Sequence, residues 1–498
     1  MKCIPSQKII WKLGFLLLIC IGFMGSCTKK SGLDPITRND RNPDDTKFED
    51  TQDDLLKDSV YLYTYYVYLW QESLPAQFAT RSYATPEAVL EELMQYAKDP
   101  SGEVYDRYSF LDRLGTVSDE IEEGRSGNFG LDVRYHNETD LYIKRVYAGS
   151  PAGLAGIERG WKVEAINGQT NLDAASLEAN DFGFLWDALD APSIDLKLRS
   201  PDGILQELHL NSGNYRIDPI LHDEIYEQGG KKIGYFVFDS FIATENATGQ
   251  ETYVKQALDD LFQEFSAAGV EEVIVDLRYN GGGAVATAEY LSNLLVPSSG
   301  NNQAMYTYVF NDWLKEDGFD EIFSPVQFNK PNTLSPNRVY FLVTEGTASA
   351  SELLINNLKP YVDVKLIGEN HTYGKPVGFF PISIFDTELY AVSFKTENAE
   401  KESDYFSGML VDKNTSEDVR KNWGDKDEAL IAQALKYAST GQFSMDVSLQ
   451  ASRGPRISVA ARVQEANQKL NARERHEMID FRQNIHLNRL DSNRIQIK

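Results

Sequence analysis

Three short segments of this chain hold residue types that could do chemistry together. They are Thr347-Ala348-Ser349-Ala350-Ser351-Glu352, Gly368-Glu369-Asn370-His371-Thr372-Tyr373-Gly374-Lys375, and Asp276-Leu277-Arg278-Tyr279-Asn280-Gly281-Gly282-Gly283. Ser349 stands just before a helical pattern, where free amides and the positive helix end favour an alkoxide or an oxyanion; the same position also suits an ordinary cap. A lysine boxed in by Tyr373, Phe379 and Phe380 would lose solvation, and its pKa would fall far enough to let it accept a serine proton; left in water it is only a surface charge. Three glycines after a strand leave backbone amides bare for close approach to a ligand. The loop has neither a Gly-Lys-Ser/Thr end nor spaced Gly-x-Gly-x-x-Gly, which argues against a nucleotide loop and leaves an oxyanion hole or a tight turn. The six histidines include no His-x-x-x-His or His-Glu-x-x-His spacing, so neither metal nor cofactor is expected. His371, in the lysine loop, offers a histidine-based alternative without a supporting pattern.

These loops need a scaffold, and residues 214–440 supply one. Ile233–Phe238, the apolar run Val273–Leu277, Val339–Val343 and Val362–Ile367 read as strands, with helices at Tyr253–Ala268, Ala284–Leu295 and Ala350–Leu358 between them. That alternation predicts an α/β unit with a mainly parallel sheet. A strand–Ser loop–helix–strand–Lys loop unit is a crossover that sets its two strands side by side, so Ser349 and Lys375 would leave the same sheet edge.

Residues 56–115 predict a small helical N-terminal domain. A helix begins near Asp58-Ser59 and a second is capped by Thr85-Pro86-Glu87. Its aromatic run (Tyr61, Tyr63, Tyr65, Tyr66, Tyr68, Trp70) suits core packing and, as an alternative, a glycan-binding face. Residues 118–213 turn to short strands punctuated by glycine, and 441–498 predict a helical or disordered tail.

With 498 residues and a net charge of −26, the chain is a multidomain acidic protein whose surface repels a phosphate backbone, so nucleic acid is not an expected partner. Lys2, Lys8 and Lys12 precede the apolar run Leu13–Phe23, which is short of a membrane span and reads as an export signal over residues 1–26. The sequence Gly25-Ser26-Cys27 resembles the bacterial lipobox, which implies acylation of Cys27 and a lipid-anchored place in the cell envelope, ahead of a polar tether over 27–55; Thr28-Lys29-Lys30 follows without an acidic run, which favours a periplasm-facing position, with surface display as the alternative. The other cysteines, Cys3 and Cys20, lie within the signal, so no internal disulfide is expected.

Two resemblances extend these readings. Gly127-Asn128-Phe129-Gly130-Leu131, Gly149-Ser150-Pro151-Ala152, Ala155-Gly156-Ile157 and Ile166-Asn167-Gly168 resemble a PDZ domain. This implies that the amides of Phe129, Gly130 and Leu131 receive a peptide's terminal carboxylate while the peptide adds a strand. Trp161 departs from the Asp usual at its position. Asp-Leu-Arg-x-Asn-x-Gly-Gly, Thr-Ala-Ser-Ala-Ser-Glu and Tyr-Gly-Lys, in that order after a PDZ-like domain, resemble the C-terminal processing (tail-specific) serine peptidases. That likeness implies a Clp/crotonase-like α/β peptidase domain, Ser349 as nucleophile, Lys375 as general base, and an oxyanion hole from Ala350 with Gly281 or Gly282. Ser351 is expected to cap the helix. The partners implied are protein or peptide substrates held by their C-terminal tails. The family's glutamine four residues after the lysine is Phe379 here, and proline follows the lysine in place of glycine. Thr372 is a candidate to orient Lys375, and a catalytically weak envelope scaffold that only binds peptides is the alternative function.

Overall fold

The computed structural model describes residues 50–113, 124–246, 248–445 and 459–478. The expected signal, Cys27 and most of the tether lie outside the described residues.

The α/β unit is built on a six-stranded sheet. Its strands are β6 (Ile220–Gln228), β7 (Lys231–Phe238), β8 (Glu272–Asp276), β9 (Arg338–Val343), β10 (Asp363–Gly368) and β11 (Lys413–Asn414), in the spatial order β11-β10-β9-β8-β7-β6. All neighbouring pairs are parallel except β6 with β7. Every residue of β8 is buried, as the apolar run Val273–Val275 at its centre requires of a strand covered on both faces. The period of two then divides the side chains. Val273, Val275, Val339 and Phe341 enter the largest apolar cluster, whereas Ile274, Tyr340 and Leu342 face Leu430, Ile431 and Ala434 of the helix Ala429–Thr440. Helices Tyr253–Ala268, Val285–Leu295 and Ala350–Leu358 stand where alternation placed them.

The N-terminal helices differ in two respects from expectation. The first, Gln52–Val67, starts at a Thr51/Asp54 capping box, six residues or more before Asp58-Ser59. The segment also has no core of its own: Leu56, Val60, Val67, Val89 and Leu93 belong to the cluster that contains Val273 and Phe341. Strand Phe110–Asp112 pairs with Thr387–Tyr390 from the far end of the chain. Of the tyrosine row, Tyr68 is fully buried, and Tyr61, Tyr63, Tyr65 and Tyr66 pack partly buried on the same cluster. Thr85 caps the second helix, Pro86–Met94, as the sequence predicts.

The glycine-punctuated segment is a five-stranded antiparallel sheet in chain order: β1 (Leu131–Tyr135), β2 (Leu141–Val146), β3 (Lys162–Ile166), β4 (Ser193–Arg199) and β5 (Leu205–Asn211). Two short helices, α1 (Ala174–Glu178) and α2 (Gly183–Leu189), cover it. Its core is separate from the main one, and Trp161 is part of it. The C-terminal tail contributes one further helix, α3 (Val459–Met478), whose Ala466 and Leu470 enter this same core. Buried ion pairs join the β-unit to the sheet domain. Glu417 meets Arg134 at 2.8 Å, Arg159 at 2.7 Å and Arg278 at 3.3 Å, and Arg145 meets Asp239 at 2.9 Å. Burial works to raise the Glu417 pKa, but the three guanidiniums hold it well below the usual carboxylate range.

Candidate active site

Because β8, β9 and β10 are adjacent and parallel, the loops that follow them leave one edge of the sheet side by side. They are stitched together by backbone–backbone bonds and by side chains that bond to backbone atoms. Thr347 Oγ1 donates to Leu277 O at 2.8 Å, Ala348 N–H to Asn280 O at 3.1 Å, and Tyr373 N–H to Thr347 O at 2.9 Å. Asn280, itself fully buried, donates to Phe238 O and accepts from Gly282 N–H at 2.9 Å. Ser351 does not cap the helix as expected: it sits inside the first turn and donates its hydroxyl to Asn280 O at 3.1 Å, tying helix to glycine loop.

Ser349 is the residue that opens helix Ala350–Leu358, with φ 64° and ψ −113°. That backbone is uncommon outside glycine and costs of order 1–3 kcal/mol, a strain kept only where the surroundings enforce it. Glu352 enforces it. Buried completely, it accepts Ser349 N–H at 2.9 Å, Gly374 N–H at 2.7 Å and Lys375 N–H at 2.8 Å, and takes the Thr372 hydroxyl as well. One carboxylate thus clamps the serine loop to the lysine loop. Burial pushes the Glu352 pKa up, against the pull of its four donors. Thr372 therefore acts on Lys375 at one remove, through Glu352, and its Oγ1 also accepts from Met409 N–H at 2.8 Å.

Ser349 and Lys375 line one narrow pocket, with Val285, Leu353, Val377, Phe394, Thr396 and Tyr405 as its other walls. Ser349 is 2 % exposed and Lys375 1 % exposed, and the Ser349 hydroxyl has no hydrogen-bond partner among the described residues. Lys375 Nζ lies 4.3 Å from the centre of the Phe379 ring, which forms a floor beneath the amine. Gly282 presses against the serine from the other side. A Cβ on it would come within 2.9 Å of Ser349 Cβ, and its φ of +116° is one that side chains rarely adopt. Since the Gly282 amide already donates to Asn280, Gly281 is the loop amide still in question beside Ala350 at the helix start.

The N-terminal segment reaches this site. Arg107 donates to Tyr373 O at 2.8 Å and to Phe406 O at 3.1 Å and lies 4.7 Å over the Tyr373 ring, while Tyr108 donates its hydroxyl to Gly374 O. His371 points elsewhere, with Nδ1 2.6 Å from Thr372 O. Phe129, Gly130 and Leu131 are buried at the start of β1, and the Gly130 amide donates to Asn128 Oδ1 at 2.7 Å. Sequence reasoning missed Arg107, Tyr108 and the clamp. Only Glu352 left a signal, as the glutamate three residues after a helix-starting serine. Among the described residues, no group of three or more His, Cys, Asp or Glu could hold a metal ion, and no helix is long and apolar enough to cross a membrane.

Known proteins resemble the chain in this same region. Residues 232–407 match the description of peptidase family S41, and residues 57–110 match the peptidase S41 N-terminal domain. The carboxyl-terminal-processing protease of Picosynechococcus sp. is 27% identical over 254 residues, 51% of this chain and 55% of that protein. The carboxy-terminal processing protease CtpA of Bacillus subtilis is 26% identical over 297 residues, 58% of this chain and 54% of that protein. The chain therefore spans about half the length of the curated relatives it matches. A crystal structure of a candidate S41 protease from Bacteroides fragilis superposes with a TM-score of 0.61 at 25% identity, covering 77% of this chain and 97% of that one. Over residues 57–110 and 232–407 the chain thus carries the sequence of peptidase family S41.

Proposed function

We propose that the protein is a serine endopeptidase of the cell envelope in which Ser349 is the nucleophile and Lys375 the general base. The observation that carries the reading is the single pocket they share, with one buried carboxylate holding both loops. In the acylation step Ser349 Oγ attacks the scissile carbonyl carbon while its proton passes to Lys375 Nζ. The oxyanion is received by the Ala350 amide at the helix start and by Gly281. Collapse of the intermediate breaks the C–N bond, and the departing amine takes the proton from Nζ; water, deprotonated by Lys375 Nζ, then attacks the ester carbonyl, and Ser349 Oγ leaves with that proton as the acid product is released. To take the serine proton Lys375 must start neutral, and its amine stands in a pocket walled by Val285, Leu353 and Phe394.

The β-unit, through its PDZ-like glycine loop at Phe129, Gly130 and Leu131, presents protein C-termini or extended tails to the site. Cys27 carries the lipid anchor. Both proposals rest on sequence motifs.

Incubation of an unstructured protein such as casein with the chain tests the reading. Ser349→Ala and Lys375→Ala should each abolish cleavage while circular dichroism and melting temperature stay unchanged. Near-wild-type turnover by folded Lys375→Ala would refute the dyad. The narrowness of the pocket and the Phe379 floor favour one competing function, a peptide-binding scaffold, for which the unsubstituted chain would bind tails and cleave nothing.

A further inference from the structure

Among the described residues strand β1 is an edge strand, paired with β2 alone. Its outward backbone groups at Tyr135 do not face water. Asn467 of helix α3 donates its side-chain amide to Tyr135 O at 2.9 Å and accepts Tyr135 N–H at 2.9 Å. That two-way bond reproduces what one residue of an added strand would make with the edge. Val463, Ala466, Asn467 and Leu470 share one helix face at i, i+3, i+4 and i+7, and Ala466 and Leu470 are almost fully buried in the core of the β-unit. At the rim, Lys469 of α3 pairs with Glu178, the last residue of α1. The helix therefore lies along the groove between β1 and α1.

We propose that helix α3 is an autoinhibitory plug: in the resting chain it occupies the groove that the proposed function gives to the C-terminal tail, and a tail must displace it. The inference rests on the reading of the β-unit as the tail-recognising part. A peptide strand has more to offer β1 than the helix does. Asn467 satisfies one residue's pair of backbone groups, whereas a strand satisfies alternate residues along the whole edge and carries its own apolar side chains into the space of Ala466 and Leu470. Displacement of α3 also reaches the active site. Gln464 donates to Glu345 at 3.2 Å and Gln468 donates to it as well, and Glu345 stands four residues before Ser349 in the same loop. The occupied groove and the serine loop are thus fastened by one helix, and a tail that takes the groove frees the loop of both glutamines.

A helix that must leave lowers the apparent affinity by the fraction of time the groove is open. The probe is an N-terminally fluorescein-labelled octapeptide ending in Ala-Val-Leu with a free carboxylate, bound to the full chain carrying Ser349→Ala so that nothing is cleaved. Adding Asn467→Ala should tighten binding at least fivefold. In the Ser349→Ala chain alone, saturating peptide should speed hydrogen exchange across 459–478 and slow it across 131–135. The proposal is overturned if α3 stays protected at saturation, if Asn467→Ala leaves the affinity unchanged, or if neither chain binds the probe. Casein cleavage by the unsubstituted chain is read separately. Displacement without cleavage would sink the peptidase reading and keep the groove; cleavage without displacement would do the reverse.

Discussion

Two buried glutamates, Glu352 and Glu417, each tie several parts of the molecule together, and they do so in opposite electrostatic settings. Glu417 sits among Arg134, Arg159 and Arg278 and is driven strongly toward its ionised form. Glu352 meets backbone N–H groups and a threonine hydroxyl, and burial pushes its pKa upward. The difference follows the work each does. Glu417 cements the β-unit to the sheet domain, where permanent cations do no harm. Glu352 must fix the geometry of Ser349 and Lys375 to within a fraction of an ångström. It does so with neutral donors, which hold position without adding a guanidinium to the pocket wall.

Glu352→Gln is the harshest test of this contrast. The amide nitrogen would face N–H donors that need an acceptor, so the two loops would shift. A fall in kcat of about 100-fold, some 2.7 kcal/mol, with KM changed far less, is expected from steady-state kinetics on a quenched peptide. A loss confined to melting temperature would reduce Glu352 to a structural role. Glu417→Gln should act on stability instead. Breaking a buried pair costs about 3–5 kcal/mol, so urea denaturation at neutral pH should show a deficit of that order, with kcat per folded molecule within about twofold.

Acid separates the two glutamates further. The Glu417 pKa is depressed on folding, so the stability it supplies is present above its unfolded value of about 4.3 and is lost as pH falls below it. The gap between Glu417→Gln and the unsubstituted chain should therefore narrow from pH 7 to pH 3.5. The Glu352 pKa is raised, and its contribution has the opposite sense: greatest below the unfolded value and lost as pH rises through the folded one.

The sheet and its loops were legible because each rests on local pattern. Val273–Leu277 is apolar but for Asp276, the glycines of 281–283 follow after three more residues, and Ala350–Leu358 begins where a serine and glutamate at capping distance say it should. What could not be read depends on residues far apart in the chain. Arg107 and Tyr108 meet the lysine loop across more than 260 residues, and Glu417 gathers arginines from the β-unit and from the glycine loop. Ser351 looked like a cap because its local setting allows one; only the neighbouring strand's loop, with Asn280 O in reach, decides otherwise. The N-terminal helices looked self-sufficient from their own periodicity, yet their apolar faces are buried on the main sheet's core. Likewise the charged tail gave no hint that one face of it completes the β-unit.

The central claim is that Lys375 activates Ser349 within one pocket. Intact-mass spectrometry of the chain treated with a fluorophosphonate tests it most directly. A single adduct on Ser349 should form in the unsubstituted chain, at a rate at least 100-fold above that of equally folded Lys375→Ala. Labelling of Lys375→Ala at the unsubstituted rate, or an adduct on any other residue, would contradict it.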